Sequence, residues 1–260
     1  MFLVLGIDAA TWTIVSPNLD KLPNFQRLCN TGKAREITLA ETPLSPSVWC
    51  GMFCGKTPDE HGHEAFVAGG DIVKREDINV DFIWDILDRE GKTVQAMNVP
   101  FVIPPYSFNV DFKPIGFGLP TNEKEWWEEL QTVTEKTKEL MKENPDVLIA
   151  VYSLLDRVQH FHWGEDCVLE WYERVDRKLG EILDTGFLEN ANNRLIVISD
   201  HGFCSFGDAK VQTLPEQTPE GTLKGDHHEN ALVITVNVPP PADEIERPQD
   251  VFYAIREAVG

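Results

Sequence analysis

The sequence predicts an α/β fold with a doubly wound, mostly parallel sheet and helices on both faces. Three apolar runs carry this prediction, and each ends in an aspartate: Phe2–Asp8, Val147–Asp156 and Leu195–Asp200. Apolar runs of this length are typical of strands that are buried on both sides of a parallel sheet. Segments with helical periodicity separate them, and this alternation of strands and helices favours a doubly wound arrangement.

The remaining elements follow from local patterns along the chain. Further strands are expected at Glu36–Leu39, Thr93–Val99 and Ala231–Val238. Helices are expected directly after the first strand and at Asn24–Asn30, Ser47–Cys54, Asp81–Glu90, Glu123–Glu143, Val168–Leu183 and Val251–Ala258. Gly55 and Gly91 supply C-terminal stops for two of these helices. Residues 205–226 show no periodicity, which indicates a long loop.

The domain organisation expected from this pattern is simple. We find no linker that would separate two folded units, so the sequence predicts one domain over 1–260. Residues 100–122 are rich in proline, glycine and aromatic side chains, and a charged helix follows them. We therefore expect a small insert at about 100–145 in place of a large cap domain.

Composition limits the possible partners and location. The chain has 260 residues, 42% hydrophobic residues and a formal net charge of −20, which suits a globular acidic protein and disfavours binding to nucleic acid or an anionic membrane. The five cysteines form no Cys-x-x-Cys pair and indicate reduced thiols. The apolar run at 2–7 is too short for a signal peptide, and no run reaches the ~20 residues of a membrane span. We expect a cytoplasmic location and leave the oligomeric state open.

The aspartates that end the predicted strands lie close in sequence to histidines. Seven histidines fall in four short segments beside turn residues or strand ends. Asp156-x-x-x-His160, Asp200-His201 and Gly225-Asp-His227 supply carboxylate oxygens and imidazole nitrogens, which are typical ligands of divalent cations. Because the carboxyl ends of strands in an open α/β sheet form its ligand-binding edge, these residues and Asp8 are sufficient for two ions.

Six segments with these residues resemble the alkaline phosphatase superfamily, in its type I phosphodiesterase/nucleotide pyrophosphatase branch. In chain order they are Gly6-Ile-Asp8, Thr42-Pro-Leu-Ser-Pro-Ser-Val-Trp49, Gly55-Lys-Thr-Pro-Asp-Glu-His61-Gly62, Ser153-Leu-Leu-Asp156-Arg-Val-Gln-His160, Ser199-Asp-His-Gly202 and Gly225-Asp-His227. Each segment alone is a weak indication of the family, but the occurrence of all six in the family's order over nearly the whole chain is specific.

The resemblance implies two metal sites. One ion would be held by Asp156, His160 and His227. The other would be held by Asp8, Asp200 and His201, together with the oxygen of the nucleophile. Ligands of this type fit zinc, with manganese as an alternative.

The resemblance also implies a serine or threonine nucleophile, ten residues before the glycine that corresponds to Gly55. This count selects Ser45, at the start of a predicted helix, where the helix dipole favours developing negative charge. Thr42 and Ser47 are the alternative nucleophiles. If Ser45 has no chemical role, its hydroxyl is expected to cap the helix.

The function implied is hydrolysis of a small phosphodiester or nucleotide pyrophosphate by two-metal phosphoryl transfer through a phosphoseryl intermediate. Phosphomonoesters, phosphonates and sulfate esters are alternative substrates on the same fold. A catalytically silent metal-binding protein is the non-enzymatic alternative.

Other positions depart from the family pattern or are expected to have no role as metal ligands. Phe66 stands where the nucleotide pyrophosphatases have an asparagine that contacts a phosphate oxygen. We expect an open site, in which the loops 62–78, 101–121 and 204–226 discriminate between substrates. His61 fits a structural turn, His162 lies outside the ligand pattern, and His228 competes with His227 as the ligand.

Overall fold

The computed structural model describes residues 1–116 and 119–260. Its strands are β1 (Phe2–Ile7), β2 (Lys33–Thr38), β3 (Val67–Ala68), β4 (Asp71–Ile72), β5 (Val94–Val99), β6 (Tyr106–Phe108), β7 (Val147–Tyr152), β8 (Arg194–Ile198), β9 (Gly202–Ser205), β10 (Gln217–Thr218), β11 (Gly221–Thr222), β12 (Gly225–His228) and β13 (Asn230–Val236). The predicted loop 101–121 and the insert include positions 117–118, which lie outside the described residues.

The helices connect these strands and cover the sheet. They are α1 (Trp12–Val15), α2 (Pro23–Thr31), α3 (Ser45–Cys54), α4 (Pro58–His61), α5 (Ile83–Arg89), α6 (Glu123–Glu143), α7 (Leu154–His162), α8 (Asp166–Leu183) and α9 (Asp250–Val259). Within the described part of the chain, no helix has both the length and the apolar character needed to cross a membrane.

A seven-stranded sheet forms the centre of the fold, in the order β2-β13-β8-β1-β7-β5-β6. The four strands β8, β1, β7 and β5 are parallel, whereas β13 and β6 pair antiparallel with their neighbours. Strand β1 is central, because Gly6 pairs with Val151 on one side and with Ile198 on the other. The prediction of a mostly parallel α/β sheet is confirmed.

Helices bury both faces of this sheet. Along β1, Leu3 and Leu5 face a core that includes residues of α2, α6, α7 and α8. Phe2 and Val4 face the opposite core, which includes residues of α3, α5 and α9. This alternation follows from the two-residue period of a strand, and it explains why the run is apolar at every position.

Two local expectations were wrong. The strand predicted to end at Asp156 ends at Tyr152, and Asp156 lies in the first turn of α7. The segment 205–226 is also more ordered than a long loop, because β10 pairs with β11 and the strands β9 and β12 pair along its two ends. The short helix α7 and the β9–β12 hairpin carry ligand candidates, so both corrections affect the site.

Candidate functional site

The seven candidate residues come together at the carboxyl edge of the central parallel strands. Asp8 directly follows β1, and Asp200 and His201 follow β8 after one intervening residue. Helix α7 carries Asp156 and His160, β12 carries His227, and α3 begins at Ser45. Except for Asp156, which is half-buried, all these side chains are buried.

Three of these residues form one compact group. His227 Nε2 lies 3.1 Å from Asp156 Oδ1, and His160 Nε2 lies 3.2 Å from the same oxygen. The two Nε2 atoms are 3.0 Å apart. One carboxylate oxygen and two imidazole nitrogens therefore converge from α7 and β12 on one point.

A second group lies beside the first. His201 Nε2 is 3.3 Å from Asp200 Oδ2, 3.7 Å from Asp8 Oδ1 and 3.2 Å from Ser45 Oγ. His201 also stacks on His227, with ring centroids 3.8 Å apart. Ligand atoms of Asp156, His201 and His227 lie within 4.8 Å of one another, so the two groups are contiguous and His201 lies between them.

The three histidines present the same nitrogen to the site. Each Nδ1–H donates to a backbone carbonyl oxygen: His160 to Gly225 at 3.0 Å, His201 to Gly202 at 2.9 Å and His227 to Pro43 at 2.6 Å. Because a carbonyl oxygen can only accept, the proton is held on Nδ1 in each ring. This leaves Nε2 as the ligating nitrogen and fixes the plane of each ring.

Two buried carboxylate oxygens in the second group have no hydrogen-bond partner among the described residues: Asp8 Oδ1 and Asp200 Oδ2. Burial, followed by repulsion from Asp200 and Asp156, raises the pKa of Asp8 well above its ordinary value. A buried carboxylate without a partner is costly. A bound cation would satisfy both oxygens, so this donor set fits a divalent ion.

Charge in the first group is arranged differently. Burial opposes ionisation of Asp156, but the adjacent His160 and His227 overcome it and hold the pKa of Asp156 well below its ordinary value. Burial also lowers the pKa of His227, but contact with Asp156 reverses this and raises it. Burial lowers the pKa of His201 to about 4. In the absence of an ion, these shifts favour the ionised form of Asp156 and the neutral form of His201.

A buried network that sequence patterns did not indicate holds the chain after β1. Ala9 has a positive φ of 61°, and its N–H donates to Asp200 Oδ1 at 3.2 Å. Gln159 Nε2 donates to the Ala9 carbonyl at 2.9 Å, and Tyr172 Oη donates to Gln159 Oε1 at 3.0 Å. These side chains keep Asp8 and Asp200 in place. Their partners are distant in sequence, so no local signal marks them.

Helix α3 positions Ser45 and one more side chain that sequence analysis missed. Ser45 is the first helical residue and Leu44 is the N-cap, so Ser45 is not the capping side chain. Trp49, one turn further along, donates from Nε1 to Asp8 Oδ2 at 3.4 Å. Of the three hydroxyls considered as nucleophiles, only that of Ser45 forms a hydrogen bond with a site histidine among the described residues.

The other histidines lie outside this constellation. His228 accepts a hydrogen bond at Nδ1 from Asn230 N at 3.2 Å, and His162 pairs with Glu165 on the surface at 2.8 Å. His61 is the buried last residue of α4, and its Nδ1 accepts from His63 N at 3.0 Å. Phe66 is half-buried, and its carbonyl accepts from Val73 N at 2.9 Å.

Known structures share this fold. Phosphonoacetate hydrolase from Sinorhizobium meliloti, in complex with phosphonoformate, has a TM-score of 0.70 and 12% identity, covering 98% of this chain and 95% of that chain. An inactive variant of murine ectonucleotide pyrophosphatase/phosphodiesterase 5, in complex with AMP, has a TM-score of 0.65 and 14% identity, covering 99% and 94%. The wild-type alkaline phosphatase PafA has a TM-score of 0.59 and 13% identity, covering 78% and 62%.

At these identities the similarity establishes the fold alone. No curated protein matches the chain significantly. The sequence model of the type I phosphodiesterase/nucleotide pyrophosphatase family, however, matches residues 2–257. The match covers all seven site candidates, from Asp8 to His227. The chain therefore belongs to the type I phosphodiesterase/nucleotide pyrophosphatase family, whose members hydrolyse phosphate ester bonds.

Proposed function

We propose that the protein hydrolyses phosphodiesters of small molecules by two-metal phosphoryl transfer, with Ser45 as the nucleophile. The observation that carries the proposal is the convergence of three Nε2 atoms, each fixed by an Nδ1–H bond to a carbonyl, with unpartnered oxygens of Asp8 and Asp200. Such a set of anchored nitrogens and uncompensated carboxylates is typical of a metal centre.

Asp156, His160 and His227 would hold one divalent ion, and Asp8, Asp200, His201 and Ser45 would hold the other. When bound, the ions would polarise the phosphoryl oxygens and favour the alkoxide form of Ser45. The Asp/His donor set suits zinc, with manganese as the alternative. All five cysteines are free thiols, which supports a reducing, cytoplasmic location.

Ser45 performs the covalent chemistry. Its Oγ forms a bond to phosphorus, the bond from phosphorus to the departing ester oxygen breaks, and that oxygen leaves with the electron pair and takes up a proton from water. The Ser45 proton is released to water. In the second step a water oxygen attacks phosphorus, the bond from Oγ to phosphorus breaks, and Ser45 regains a proton. The products are an alcohol and a phosphate monoester.

The start of α3 places this chemistry at the positive end of a helix. The N–H groups of Ser47 and Val48 both donate to the carbonyl of Leu44, at 3.0 and 2.9 Å, and Pro46 has no N–H. Among the described residues, the first turn therefore has the Ser45 N–H free for a phosphoryl oxygen. The side chain of Phe66, which stands in place of an asparagine, has no hydrogen-bond donor to add.

The decisive test combines turnover with metal analysis. Ser45→Ala should lose nearly all hydrolysis of bis-p-nitrophenyl phosphate while retaining bound metal, because three protein ligands remain in each group. Thr42→Ala and Ser47→Ala are the matched variants. Full activity of Ser45→Ala would exclude it as the nucleophile, and loss confined to one matched variant would identify that residue instead.

A phosphonate is the second candidate substrate class. The structure with the TM-score of 0.70 is a phosphonoacetate hydrolase bound to phosphonoformate, so this fold accommodates phosphonates. Assays of phosphodiesters, phosphomonoesters, phosphonates and sulfate esters, each with zinc and with manganese, would rank the classes. Less than one metal per chain and no hydrolysis of any of them would instead support a catalytically silent protein.

A further inference from the structure

We infer that Glu129, a buried residue of α6, is a positioning residue for the first ligand group, because its carboxyl group fixes the start of α7 and thereby the place of Asp156. This inference rests on the proposed function, in which Asp156, His160 and His227 would hold one divalent ion. It extends that function to a residue outside the ligand groups. Its basis is a set of three hydrogen bonds that converge on one oxygen of Glu129.

Glu129 lies on the apolar face of α6. The residue is 2% exposed, and Trp126, Leu130 and Val133 of the same helix are buried as well. A carboxyl group in such surroundings is costly unless hydrogen bonds compensate it. Among the described residues it forms no salt bridge, so its compensation comes from neutral donors.

These donors come from two different strand ends. Oε1 of Glu129 accepts from the backbone N–H of Ser153 at 2.7 Å and from its hydroxyl at 2.9 Å. It also accepts from Asn98 Nδ2 at 3.0 Å, and the same amide donates to the carbonyl of Val151 at 2.9 Å. One oxygen therefore joins α6 to the end of β5 and to the junction between β7 and α7.

This junction determines where α7 begins. Ser153 is the N-cap of α7, but its side chain makes no capping bond within the helix, and its hydroxyl donates to Glu129 instead. Helix α7 has nine residues, and a helix this short depends on tertiary contacts for its stability. Asp156 is its third residue. A shift of Ser153 would therefore move Asp156 as well.

The later part of α7 has a separate anchor. The backbone N–H of Lys224 donates to the carbonyl of His160 at 2.7 Å. Loss of the Glu129 contacts should therefore displace Asp156 more than His160. Since Oδ1 of Asp156 lies 3.1 Å and 3.2 Å from two imidazole nitrogens, a displacement of Asp156 would disrupt the first ligand group.

The chain offers a matched control in Asp176 of α8. This residue is 1% exposed, and its carboxyl group accepts from the N–H groups of Asn24 at 3.0 Å and of Phe25 at 2.8 Å. It thus fixes the start of another helix, α2, by the same chemistry. Helix α2 carries none of the seven site candidates, so removal of Asp176 should leave both ligand groups intact.

The experiment measures zinc affinity in the full chain. Zinc-loaded protein is titrated with a chelator of known affinity, and the metal bound per chain is determined at each step. The ion whose affinity falls in His227→Ala identifies the first group. Glu129→Met, which has no acceptor, should weaken binding of this ion by about 10- to 100-fold and leave the other ion unchanged.

Two further variants separate positioning from a general effect on the fold. Glu129→Gln keeps a carbonyl oxygen as the acceptor and should retain close to the wild-type affinity for both ions. Asp176→Leu should do the same. Equal weakening in Glu129→Met and Asp176→Leu, weakening of both ions in Glu129→Met, or unchanged affinity in Glu129→Met would overturn the inference. Weakening by Glu129→Gln as large as that by Glu129→Met would also overturn it.

A milder variant keeps the inference testable if Glu129→Met fails to fold. Ser153→Ala removes one of the three hydrogen bonds to Oε1 and should weaken the same ion on the order of fivefold. Unchanged affinity in Ser153→Ala would then overturn the inference.

Failure of the inference and failure of the proposed function give different results. A wild type that binds two zinc ions and hydrolyses bis-p-nitrophenyl phosphate, with Glu129→Met indistinguishable from it, overturns the role of Glu129 and leaves the proposed function intact. A wild type that binds no zinc and hydrolyses none of the esters overturns the proposed function, and the inference with it.

Discussion

The Nδ1–H of His227 donates to the carbonyl oxygen of Pro43 at 2.6 Å, which ties β12 to the segment that leads into α3. The opposite nitrogen of the same ring lies 3.1 Å from Asp156. The side chain of His227 thus belongs to the first ligand group and also restrains the chain before Ser45. Its removal should affect both metal binding and the placement of Ser45.

We therefore expect His227→Ala to weaken binding of one divalent ion by at least about 10- to 100-fold and to abolish most turnover. The adjacent His228→Ala is the control, because His228 bonds to Asn230 and is not part of the ligand groups. Metal content after dialysis against a weak chelator, together with kcat/KM, measures the effect. A larger loss in His228→Ala would reverse the assignment of the two histidines.

Asp8→Asn should stabilise the ion-free protein while it weakens metal binding. Asp8 Oδ1 is buried without a partner, and burial and the neighbouring Asp200 raise its pKa. Removing the negative charge of the Asp8 carboxylate should increase the free energy of unfolding by on the order of 1–3 kcal/mol. Urea denaturation in the presence of a chelator measures this change.

The control for Asp8→Asn is Asp226→Asn. Asp226 is equally buried, but its oxygens accept from Thr213 and from the His227 N–H. This second variant should be destabilising, because it removes acceptors that are in use. If both variants change stability in the same direction, the uncompensated charge of Asp8 is not the cause.

Gly6→Ala should be destabilising through Trp49. A Cβ at position 6 would lie 2.6 Å from Trp49 Cη2 and 2.9 Å from Val151 Cγ2, and overpacking of this kind costs about 1–3 kcal/mol. Displacing Trp49 should also reduce activity, since its indole donates to Asp8.

Trp49→Phe provides the matched test, because it removes the atom in closest contact. The double variant Gly6→Ala/Trp49→Phe should lose less free energy of unfolding than the two single variants lose in total. Strict additivity in thermal or urea denaturation would show that Trp49 is not the group that resists a side chain at position 6.

Glu129 should make stability depend on pH. Its side chain is buried, Oε1 accepts from Asn98 Nδ2 and from Ser153 N and Oγ, and Oε2 has no partner in the described structure. Burial raises its pKa from 4.5 to about 7. Between these two pH values the folded protein binds more protons than the unfolded chain. The contribution of Glu129 to the free energy of unfolding is therefore complete below pH ~4.5 and is lost as pH rises towards ~7.

The expected loss from Glu129 is on the order of 3 kcal/mol. Glu129→Gln cannot titrate, so the difference in unfolding free energy between variant and wild type should shift in favour of the variant between pH 5 and pH 8. Urea denaturation of the ion-free proteins at both values measures it. A difference that does not change with pH would show that Glu129 keeps an ordinary pKa.

Sequence patterns predicted the parts of this fold that depend on local chemistry. The strands β1 and β8 were recognisable because burial on both faces makes every position apolar. Helix α6 was predicted at its observed bounds, and it is marked by the N-cap Asn122 and by the left-handed Asn144 at its end. The Asp and His residues near strand ends indicated six of the seven candidates that the fold brings together, and the family resemblance added Ser45.

Other features depend on contacts that sequence alone does not show. The apolar run from Val147 continues into Leu154 and Leu155, which are buried in α7 rather than in β7. Because the first two residues of α7 are both buried leucines, the start of the helix continues the apolar composition of β7. The hydrogen bond from Gln159 to Ala9 joins positions 150 residues apart, and no local pattern indicates such a contact.

The central position of β1 has a consequence for biosynthesis. Phe2 pairs with Val147 on one side and with Arg194 on the other, so β1 leaves the ribosome before both of its neighbours in the sheet and has no partner until those segments are made. At roughly 5–20 residues per second, β1 waits about 7–30 seconds for its first partner. His227 is translated later still. A nascent chain therefore cannot assemble the ligand groups until residue 227 has been synthesised, and any binding of metal by the complete groups comes after that point.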